Sequence, residues 1–543
     1  MAADADFEEG CRLYGTGRFS EAETIFRRCL ELFPTNPDLL NALGSSIDAR
    51  GSSEEAIPYL QLASRLRPDS APFHHNLANV FRRVNNREEA ENEYLEALRF
   101  DPQLVEALHG LGSMYLEDDT LDPAEACLQR ALLNSPRFVL ALHDLGQLHQ
   151  RRGNRKEAEN SYRSCIDLDA TFVPALNSLG MLLLRQNILD ESRKCFEQAI
   201  AVDPFYLQAR CNLAVAATWC GELDFAIREL REATRTAPND GDLHFNLSLA
   251  LLAAGMFDEG WQEHEWRFHK ANPVPLRHTG IPRWQGEPLT GKRILIHAEQ
   301  GYGDSLQFIR YAPLLANQGA LVYVEGQDRI ISPLLATVHG VLGAYSRGDA
   351  LPAVDLQISM MSLPLVLGNM FWPPPTEQYL NPPESSKLYW RKRLSLHSGQ
   401  KIGLAWAGRP EHENDSNRSI SEPDLEPMGQ VQGVSFISLQ FDARKAHELP
   451  FTITDYCSEI DGFCESAALV SQLDLVITVD SAVAHLAGAL GIPVFLLLPW
   501  NPDWRWGHKL SESPWYPAMT IFRQSVPGSW KNAIAEVAKI LPS

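Results

Sequence analysis

The feature that most constrains this chain is a proline that returns every 34 residues through its first half. A fixed period of this length is typical of stacked helical hairpins. The prolines of the series are Pro34, Pro68, Pro102, Pro136, Pro204 and Pro238, and Ala170 stands where one is missing. Such a pattern predicts an array of repeats rather than one globular core, because each hairpin buries its apolar face against its neighbours.

Small residues recur in the same register, where the two helices of a hairpin would approach each other closely. They are Gly10, Gly44, Ala78, Gly112, Gly146, Gly180 and Ala214. A large apolar residue recurs with the same period, at Phe26, Leu60, Tyr94, Leu128, Tyr162, Phe196 and Leu230. Three positions after each large residue stands a small one, at Cys29, Ala63, Ala97, Ala131, Cys165, Ala199 and Ala233. These registers predict packing of large side chains against small ones.

These registers, with Gly51, Gly153, Gly221 and Gly255 at turns, resemble the tetratricopeptide repeat over residues 3 to about 270, or about seven and a half repeats. The resemblance implies an all-α superhelix over residues 1–270. The first helix of each repeat would line its inner wall, and such walls usually bind an extended peptide or a partner helix.

Polar side chains stand just before a recurring leucine of the repeats, at Asn76, Asp144, Asn212 and Asn246. An amide at this position can donate to and accept from a peptide backbone. The arrangement resembles part of the asparagine ladder of the O-GlcNAc transferases, with interruptions at Ala42, Gly110 and Ser178. Binding of an acceptor peptide and simple solvation both remain open.

One position earlier stand three histidines, His75, His109 and His143. Equivalent positions on adjacent packed helices lie roughly 8–10 Å apart, whereas each ligand of a zinc ion sits about 2.0–2.1 Å from the metal. We therefore expect no metal here, and a solvated or acceptor-binding stripe instead. Binding to it would change at about pH 6–7, where histidine titrates.

Charge and composition narrow the partners and the location. The chain has 48 basic and 69 acidic residues and a net charge of −21, which disfavours nucleic acid. No long apolar run could span a membrane. The acidic start, Met1 to Asp6, is unlike a secretory signal, and the nine cysteines form no Cys-x-x-Cys pair. We expect a cytoplasmic protein with reduced cysteines.

The 34-residue pattern ends in a proline-rich linker, residues 271–290. Beyond it, short apolar strands alternate with helical patterns, which predicts parallel sheets. The first strand, Arg293 to Ala298, leads into the turn Glu299-Gln300-Gly301-Tyr302-Gly303-Asp304. A second proline-rich crossing, which includes Trp372-Pro373-Pro374-Pro375, separates two such units. The prediction is a GT-B fold of two Rossmann-like domains, residues 291–388 on the acceptor side and 389–543 for the nucleotide-sugar.

The run Asp480-Ser481-Ala482-Val483-Ala484-His485, continuing to Pro493, resembles the donor-binding motif of the ADP-heptose heptosyltransferases. The turn Gly301 to Asp304 resembles the acceptor-side motif of that family. Ala482 stands where these enzymes often have glycine, so the donor phosphate, and ADP-heptose as donor, stay open. The wider layout, with Glu259-Gly260-Trp261, Glu265-Trp266-Arg267 and Pro502-Asp503-Trp504-Arg505-Trp506, is similar to bacterial tetratricopeptide-repeat glycosyltransferases, some of which modify flagellin.

A phosphate site is predicted where a strand ends at Asp480 and Ser481 can cap the next helix. The amides of residues 482 to 484 would face an anion, which helix N-termini favour without a metal. The alternative is a plain N-cap. His485 would either reach the phosphate or belong to the core.

Two further candidates follow the neighbouring strands. After Gly408 comes the polar loop Arg409 to Ser419, in which Arg418 is the candidate phosphate clamp. Gln440, at a strand end, is a candidate contact for the base or ribose. The alternative for the loop is a solvated surface.

Asp304 is the candidate general base, since a carboxylate can take the proton of an attacking hydroxyl. The heptosyltransferase resemblance implies this role in an inverting transfer; the alternative is an N-cap aspartate. The predicted function is a metal-independent glycosyltransferase, with a nucleotide-sugar as co-substrate and no other cofactor. The acceptor would be a Ser or Thr of a protein held by the repeats, with flagellin as the named possibility. A silent scaffold or chaperone, and an enzyme acting on a saccharide or lipid-linked acceptor, are the alternatives.

Overall fold

The computed structural model describes residues 2–299, 301–370, 372, 378–410, 414–441 and 448–541, with the backbone alone at 2–4 and 369. Three parts of the predicted motifs lie outside these residues: Gln300 of the glycine turn, Pro373 to Pro375, and Glu411 to Glu413 of the polar loop. The chain forms two compact units. They are Met1–Leu183 with Lys194–Phe205, and Leu184–Arg193 with Tyr206–Ser543.

Paired antiparallel helices make up the first half of the chain, as the repeat pattern predicts. They are α1 (Ala2–Gly15), α2 (Phe19–Leu32), α3 (Pro37–Ala49), α4 (Ser53–Leu66), α5 (Ala71–Arg83), α6 (Arg87–Phe100), α7 (Val105–Glu117), α8 (Leu121–Asn134), α9 (Val139–Arg151), α10 (Arg155–Leu168), α11 (Val173–Arg185), α12 (Leu189–Val202), α13 (Leu207–Trp219), α14 (Leu223–Thr236), α15 (Gly241–Ala253) and α16 (Phe257–His264). The tetratricopeptide-type all-α region is therefore confirmed.

Close packing within each hairpin explains the small-residue series. A Cβ added at Gly146 would lie 2.5 Å from the Tyr162 ring, and one at Gly44 would lie 2.6 Å from Leu60 Cγ. Side chains in real structures do not approach this closely, so glycine lets the two helices come together. The predicted packing of large against small residues is what the structure shows.

The turns between paired helices need a left-handed backbone, and glycine is only one way to supply it. Gly51 and Gly153 have φ of 93° and 78°. Asn85, Asp119 and Asn187 have φ of 59°, 58° and 61° at the corresponding turns. Asparagine and aspartate tolerate this region better than other side chains, which explains why the glycine series in the sequence is incomplete.

The second unit contains two parallel sheets. The first has the order β3-β2-β1-β4 and the second β6-β5-β7-β8-β9. Their strands are β1 (Arg293–His297), β2 (Leu321–Gly326), β3 (Val341–Ser346), β4 (Leu356–Ser359), β5 (Gln400–Ala405), β6 (Val434–Ser438), β7 (Leu475–Val479), β8 (Val494–Leu498) and β9 (Met519–Arg523). Every pairing between neighbouring strands is parallel, which confirms the Rossmann-like, GT-B-type architecture.

Helices connect these strands. They are α17 (Tyr302–Phe308), α18 (Ala312–Asn317), α19 (Ser332–Leu335), α20 (Leu363–Leu367), α21 (Glu384–Leu394), α22 (Asp415–Arg418), α23 (Phe463–Val470), α24 (Ala482–Ala489) and α25 (Lys531–Ile540). The predicted boundary between residues 388 and 389 falls inside α21, whose Trp390 donates from Nε1 to Glu465 on α23 at 2.8 Å. Among the described residues, no helix has both the length and the apolar character needed to cross a bilayer.

In each sheet the strand order reverses direction at the first strand in sequence, which has a neighbour on both sides. In the first sheet β1 lies between β2 and β4, and in the second β5 lies between β6 and β7. Ligands of open parallel sheets bind at the carboxyl ends of the strands, where this reversal opens a crevice. We therefore expect a ligand site among the residues that follow β1, β5 and β7.

One hydrophobic core joins the two sheets and the last repeat helix. Trp261 of α16 meets Trp504 with ring centroids 5.4 Å apart, and Phe308 of α17 meets Trp515 at 6.2 Å. Arg310 is buried with them and donates from Nη1 to the Trp515 carbonyl at 2.9 Å. Contacts of this kind fix the residues that follow β1 against those that follow β7 and β8.

Candidate active site

The two motifs predicted to form the site touch each other. Gly303, in the first turn of α17, lies against His485 on α24. A Cβ added at Gly303 would be 2.9 Å from His485 Cδ2 and 3.9 Å from the Ala482 Cα. The glycine turn that follows β1 and the helix that follows β7 therefore begin side by side, at the carboxyl edges of the two sheets.

Asp304 sits at this junction, where its carboxylate interacts with both Arg505 and the backbone of Gly301. Its Oδ1 accepts a hydrogen bond from Arg505 Nη2 at 2.6 Å. Its Oδ2 would be 3.0 Å from a Cβ placed on Gly301, so the absence of a side chain there leaves room for this oxygen. Burial raises the pKa of Asp304, and the nearby Arg505 charge opposes that rise. The side chain is still 31% exposed, so a substrate can reach it.

The turn after β7 is more self-contained than the sequence indicated. Ser481 caps α24 as predicted, accepting from the Val483 amide at 3.3 Å. The Ala484 amide donates to the Ser481 carbonyl at 3.1 Å. Two of the three amides expected to face an anion are thus used within the turn, which corrects that expectation and leaves the Ala482 amide as the one suited to a phosphate.

Asp480, at the predicted phosphate site, has a carboxyl group with a raised pKa. Burial raises its pKa to about 6, and the neighbouring Asp503 carboxylate adds to the rise, while Arg418 and Arg505 oppose it. A carboxyl group with a raised pKa takes up a proton more readily than an ordinary aspartate, and an incoming phosphate would favour that protonation because it adds negative charge nearby.

Arg418 and Gly408 meet Asp480 at the strand-order reversal of the second sheet. Arg418 Nη1 donates to the Asp480 carbonyl at 3.2 Å, and a Cβ on Gly408 would overlap the guanidinium. Arg418 Nε is buried and lies 3.5 Å from Asp415 Oδ1, an ion pair without a hydrogen bond among the described residues. The arginine is therefore held in place by Asp480 and Asp415, and an incoming anion would compete with Asp415 for its guanidinium.

Gln440 and His485 both use their polar atoms on the protein. Gln440 Oε1 accepts from the Ala407 amide and its Nε2 donates to the Ala407 carbonyl, each at 3.1 Å. It therefore fixes the end of β5, and contact with a base or ribose would require a different side-chain position. His485 Nδ1 lies 2.9 Å from Tyr516 Oη, and its ring stacks on Trp506 at 5.4 Å.

Burial lowers the pKa of His485 well below its usual value, so the ring is neutral. With 5% of its surface exposed, His485 has the surroundings of a core histidine, one of the two interpretations that its sequence position left open.

Arg505 is the central residue that sequence reasoning did not single out. It follows β8 and donates to Asp304, to Gln307 Oε1 at 2.6 Å and to Asp503 Oδ1 at 2.9 Å. Its position in the sequence could have indicated a role, because Arg505 follows a predicted strand and so lies at the same edge of the sheet as Asp480.

A second buried arginine supports the start of the glycine turn. Arg267 is 2% exposed and binds Glu299 through Nε at 2.9 Å and Nη2 at 2.6 Å. It also donates to Glu265 Oε1 and to Ser362 Oγ, each at 2.7 Å. The Glu265-Trp266-Arg267 motif noted in the sequence thus anchors the residue that opens the turn leading to Asp304.

The polar residues of the repeats bond to one another across neighbouring repeats. Asn76 Nδ2 donates to Asn41 Oδ1 at 3.0 Å, and Asn246 Nδ2 donates to Cys211 Sγ at 3.1 Å. Asn212 is 5% exposed. The predicted ladder residues therefore tie adjacent first helices together, and an acceptor peptide would have to exchange some of these bonds for its own.

Two of the three predicted histidines pair across neighbouring repeats, and His75 pairs within its own helix. His109 Nε2 lies 3.0 Å from Asp144 Oδ2, and His143 Nε2 lies 3.1 Å from Ser178 Oγ. Burial alone would raise the pKa of Asp144, but hydrogen bonds from His109, His143 and Ser113 lower it. His75 Nε2 pairs with Asn79 at 3.0 Å, and burial lowers the pKa of His75.

The fold and this junction define a class: a helical-repeat array followed by two Rossmann-like sheets whose carboxyl edges face each other. Comparison with known sequences makes the class specific. Residues 442–529 match glycosyltransferase family 9 (heptosyltransferase). Tetratricopeptide-repeat families match residues 7–71, 74–106, 139–168 and 173–206. The chain thus combines tetratricopeptide repeats with a heptosyltransferase-like glycosyltransferase unit.

The match to a curated relative spans somewhat less than two thirds of that relative's length. Protein FlbA of Caulobacter vibrioides is 27% identical over 378 residues, and the match covers 61% of this chain and 60% of FlbA. Among solved structures, the APC/C hetero-tetramer Cut9-Hcn1 has a TM-score of 0.42 at 20% identity, covering 49% of this chain and 53% of that one. PilF of Pseudomonas aeruginosa has a TM-score of 0.35 at 20% identity, covering 38% and 94%. Likenesses this distant have no bearing on function.

Proposed function

We propose that this chain is an inverting, metal-independent glycosyltransferase that moves a sugar from a nucleotide-sugar to a Ser or Thr of a protein bound by its repeats. The observation that carries the proposal is the contact between two motifs far apart in sequence. Asp304 and the Asp480–Ser481 turn lie together at the carboxyl edges of the two sheets, where α17 packs against α24 at Gly303 and His485.

The chemistry divides between the two sides of this junction. On the donor side, Arg418 and the start of α24 would hold the phosphate nearest the sugar, and their positive charge would stabilise the nucleotide as it leaves. On the acceptor side, Asp304 Oδ2 would take the proton of the attacking hydroxyl. The hydroxyl oxygen forms a bond to the anomeric carbon as the bond from that carbon to the phosphate oxygen breaks, so the configuration inverts.

The positive charge of Arg418 and the raised pKa of Asp480 favour binding of an anion without a metal ion. The Arg418 guanidinium lies between the Asp480 carbonyl and the Asp415 carboxylate, and the Asp480 pKa is raised to about 6. A guanidinium can neutralise a leaving phosphate in place of a divalent cation. The proposal therefore predicts that chelation of divalent metals leaves transfer unchanged.

The acceptor assignment rests on the repeats. Arrays of this kind bind protein segments along the first helices, and Asn76, Asn246 and Asp144 lie on such helices. Flagellin is the acceptor to test first, because the layout of the chain is similar to that of bacterial enzymes that modify it.

The experiment is co-expression of flagellin with the wild-type chain, with Asp304→Asn, and with Asp122→Asn as a control at an aspartate that is 95% exposed. Intact-mass analysis should show an added sugar mass with wild type and with the control, and none with Asp304→Asn. No added mass with any of the three would favour a scaffold or a different acceptor. A full added mass with Asp304→Asn would remove Asp304 as the base.

The donor can be identified separately. Thermal unfolding of the purified chain with ADP, UDP, GDP or CMP should show a higher melting temperature with one nucleotide, because a ligand that binds only the folded state stabilises it. Arg418→Met should reduce that increase, because it weakens nucleotide binding. If none of the nucleotides stabilises the wild type, the donor half of the proposal fails.

A further inference from the structure

Arg505 occupies the space between the two sheets with every nitrogen of its guanidinium in use. Nη2 donates to Asp304 Oδ1 at 2.6 Å, Nε to Gln307 Oε1 at 2.6 Å, and Nη1 to Asp503 Oδ1 at 2.9 Å. Asp304 and Gln307 both belong to α17, whereas Arg505 belongs to the loop after β8. One side chain therefore links the candidate base to the donor-side sheet.

The rest of the residue is fixed as firmly. The Arg505 amide donates to Asp503 Oδ1 at 3.0 Å, and its carbonyl accepts from Trp515 Nε1 at 2.9 Å. The guanidinium carbon lies 4.6 Å from the centre of the Trp504 ring and 5.8 Å from that of Phe308. With its side chain 10% exposed, Arg505 has little freedom to leave Asp304.

The charges around Asp304 show why this arginine matters. The carboxylates that face it are Asp503 on the same loop as Arg505 and Glu299 at the end of β1. Glu299 is neutralised by Arg267 at 2.6 Å. Arg505 is the cation that lowers the pKa of both Asp304 and Asp480, against the effects of burial and of Asp503. His485 on α24 is neutral, and Arg418 acts on Asp480.

We infer that Arg505 is a positioning residue for Asp304. It holds Oδ1 at 2.6 Å, fixes the orientation of the carboxylate and places a positive charge beside it, so that Oδ2 is the oxygen that would accept the proton. The inference rests on the proposed function of Asp304 as general base. It also means that the base is complete only when the loop after β8 is in place, so the donor-side sheet controls the readiness of the acceptor side.

The test compares Arg505→Met, Arg505→Lys and Arg505→Ala with the wild type, and uses Arg523→Met as a matched control. Arg523 supports the same loop, donating from Nη2 to the carbonyls of Trp506 at 2.9 Å and Leu510 at 3.0 Å, but it does not contact Asp304. A loss of loop order alone should therefore appear in both Arg505→Met and Arg523→Met.

The first readout is the pH dependence of sugar transfer. Activity of a general base falls as the pH drops through its pKa. Removing an opposite charge at this distance raises a carboxyl pKa by about one to three pH units. The acid limb of the rate profile should therefore move up by about that amount in Arg505→Met and Arg505→Ala, move less in Arg505→Lys, and stay in place in Arg523→Met. Added guanidinium should restore part of the Arg505→Ala rate.

The second readout does not depend on activity. The carboxyl carbon signal of Asp304, assigned by its loss in Asp304→Asn, should titrate at higher pH in Arg505→Met than in wild type. An unmoved acid limb and an unmoved titration, with only a lower rate, would overturn the inference and leave Arg505 a structural residue. If the wild type transfers no sugar but the titration moves, the proposed function fails while the positioning of Asp304 stands.

Discussion

Gly303→Ala tests whether the contact between α17 and α24 is as tight as the structure indicates. The added Cβ would sit 2.9 Å from His485 Cδ2, whereas carbon atoms pack best at about 3.5–4.0 Å. His485 has little room to retreat, because it is bonded to Tyr516 Oη at 2.9 Å and stacked on Trp506. The two helices must therefore separate by roughly half an ångström or more.

The expected cost is that of overpacking a core, about 1–3 kcal/mol. For a unit of this size, with an unfolding entropy of about 2.1 cal/mol/K per residue, each kcal/mol lowers the melting temperature by about 1–2 °C. Displacing the start of α24 should also weaken binding of whichever nucleotide stabilises the wild type. Both effects are measured together by thermal unfolding with and without nucleotide.

Two comparisons make this prediction decisive. Gly280→Ala places a Cβ in open space, with nothing within 4 Å, and should change stability by no more than about 0.5 kcal/mol. Combining Gly303→Ala with His485→Ala should cost less than the sum of the single changes, because the smaller residue relieves the overlap. A Gly303→Ala protein that melts and binds nucleotide like wild type would show that the two motifs are not packed against each other.

Three further predictions concern charged residues of the same unit. Arg418→Met should weaken nucleotide binding about tenfold or more, since a hydrogen bond to a charged group contributes about 1.5–3 kcal/mol; calorimetric titration measures this, and unchanged affinity would remove Arg418 from the site. Arg267→Met should lower the free energy of unfolding by about 3–5 kcal/mol, because it leaves Glu299 buried without its arginine partner. In chemical denaturation the double variant with Glu299→Gln should recover part of this loss, and no recovery would contradict the pairing. Asp480 has a pKa raised to about 6, above its unfolded value of about 3.9, so its ionisation destabilises the folded state as the pH rises between these two values. Asp480→Asn should therefore raise the melting temperature at pH about 7 and not at pH about 4. An equal effect at both pH values would refute the raised pKa.

Most of the fold could be predicted from the sequence because its signals are local and repeated. The proline and small-residue series fix a period, and each hairpin of the array repeats the same packing, as Gly146 does against Tyr162. The strands that follow the linker are short apolar runs before glycine or polar turns, and the carboxyl edge where they end could be inferred from parallel order alone. The turns at Asn85, Asp119 and Asn187 escaped notice because a left-handed backbone does not require glycine.

The candidate site was predictable in place but not in detail. Asp304, Arg418 and Asp480 could be proposed from the sequence because each follows a strand end or a recognisable motif, and their roles remain predictions. Gln440 has the same kind of position, yet its amide is used on the Ala407 backbone, and nothing in the sequence distinguishes an amide that faces a ligand from one that holds a strand. The amides at Val483 and Ala484 are occupied for a similar reason, since their partner is the adjacent Ser481.

Arg505 was missed because its role exists only between sheets. Its partners Asp304 and Gln307 are about two hundred residues away in sequence. Arg505 meets them because Phe308 of α17 packs against Trp515, and no local pattern encodes that contact. A motif search finds residues whose surroundings come from their own strand and turn. In a site between two sheets, some of the contacting side chains come from the opposite sheet. The surroundings of Asp304 therefore include Arg505 from the loop after β8, which the sequence around Asp304 could not reveal.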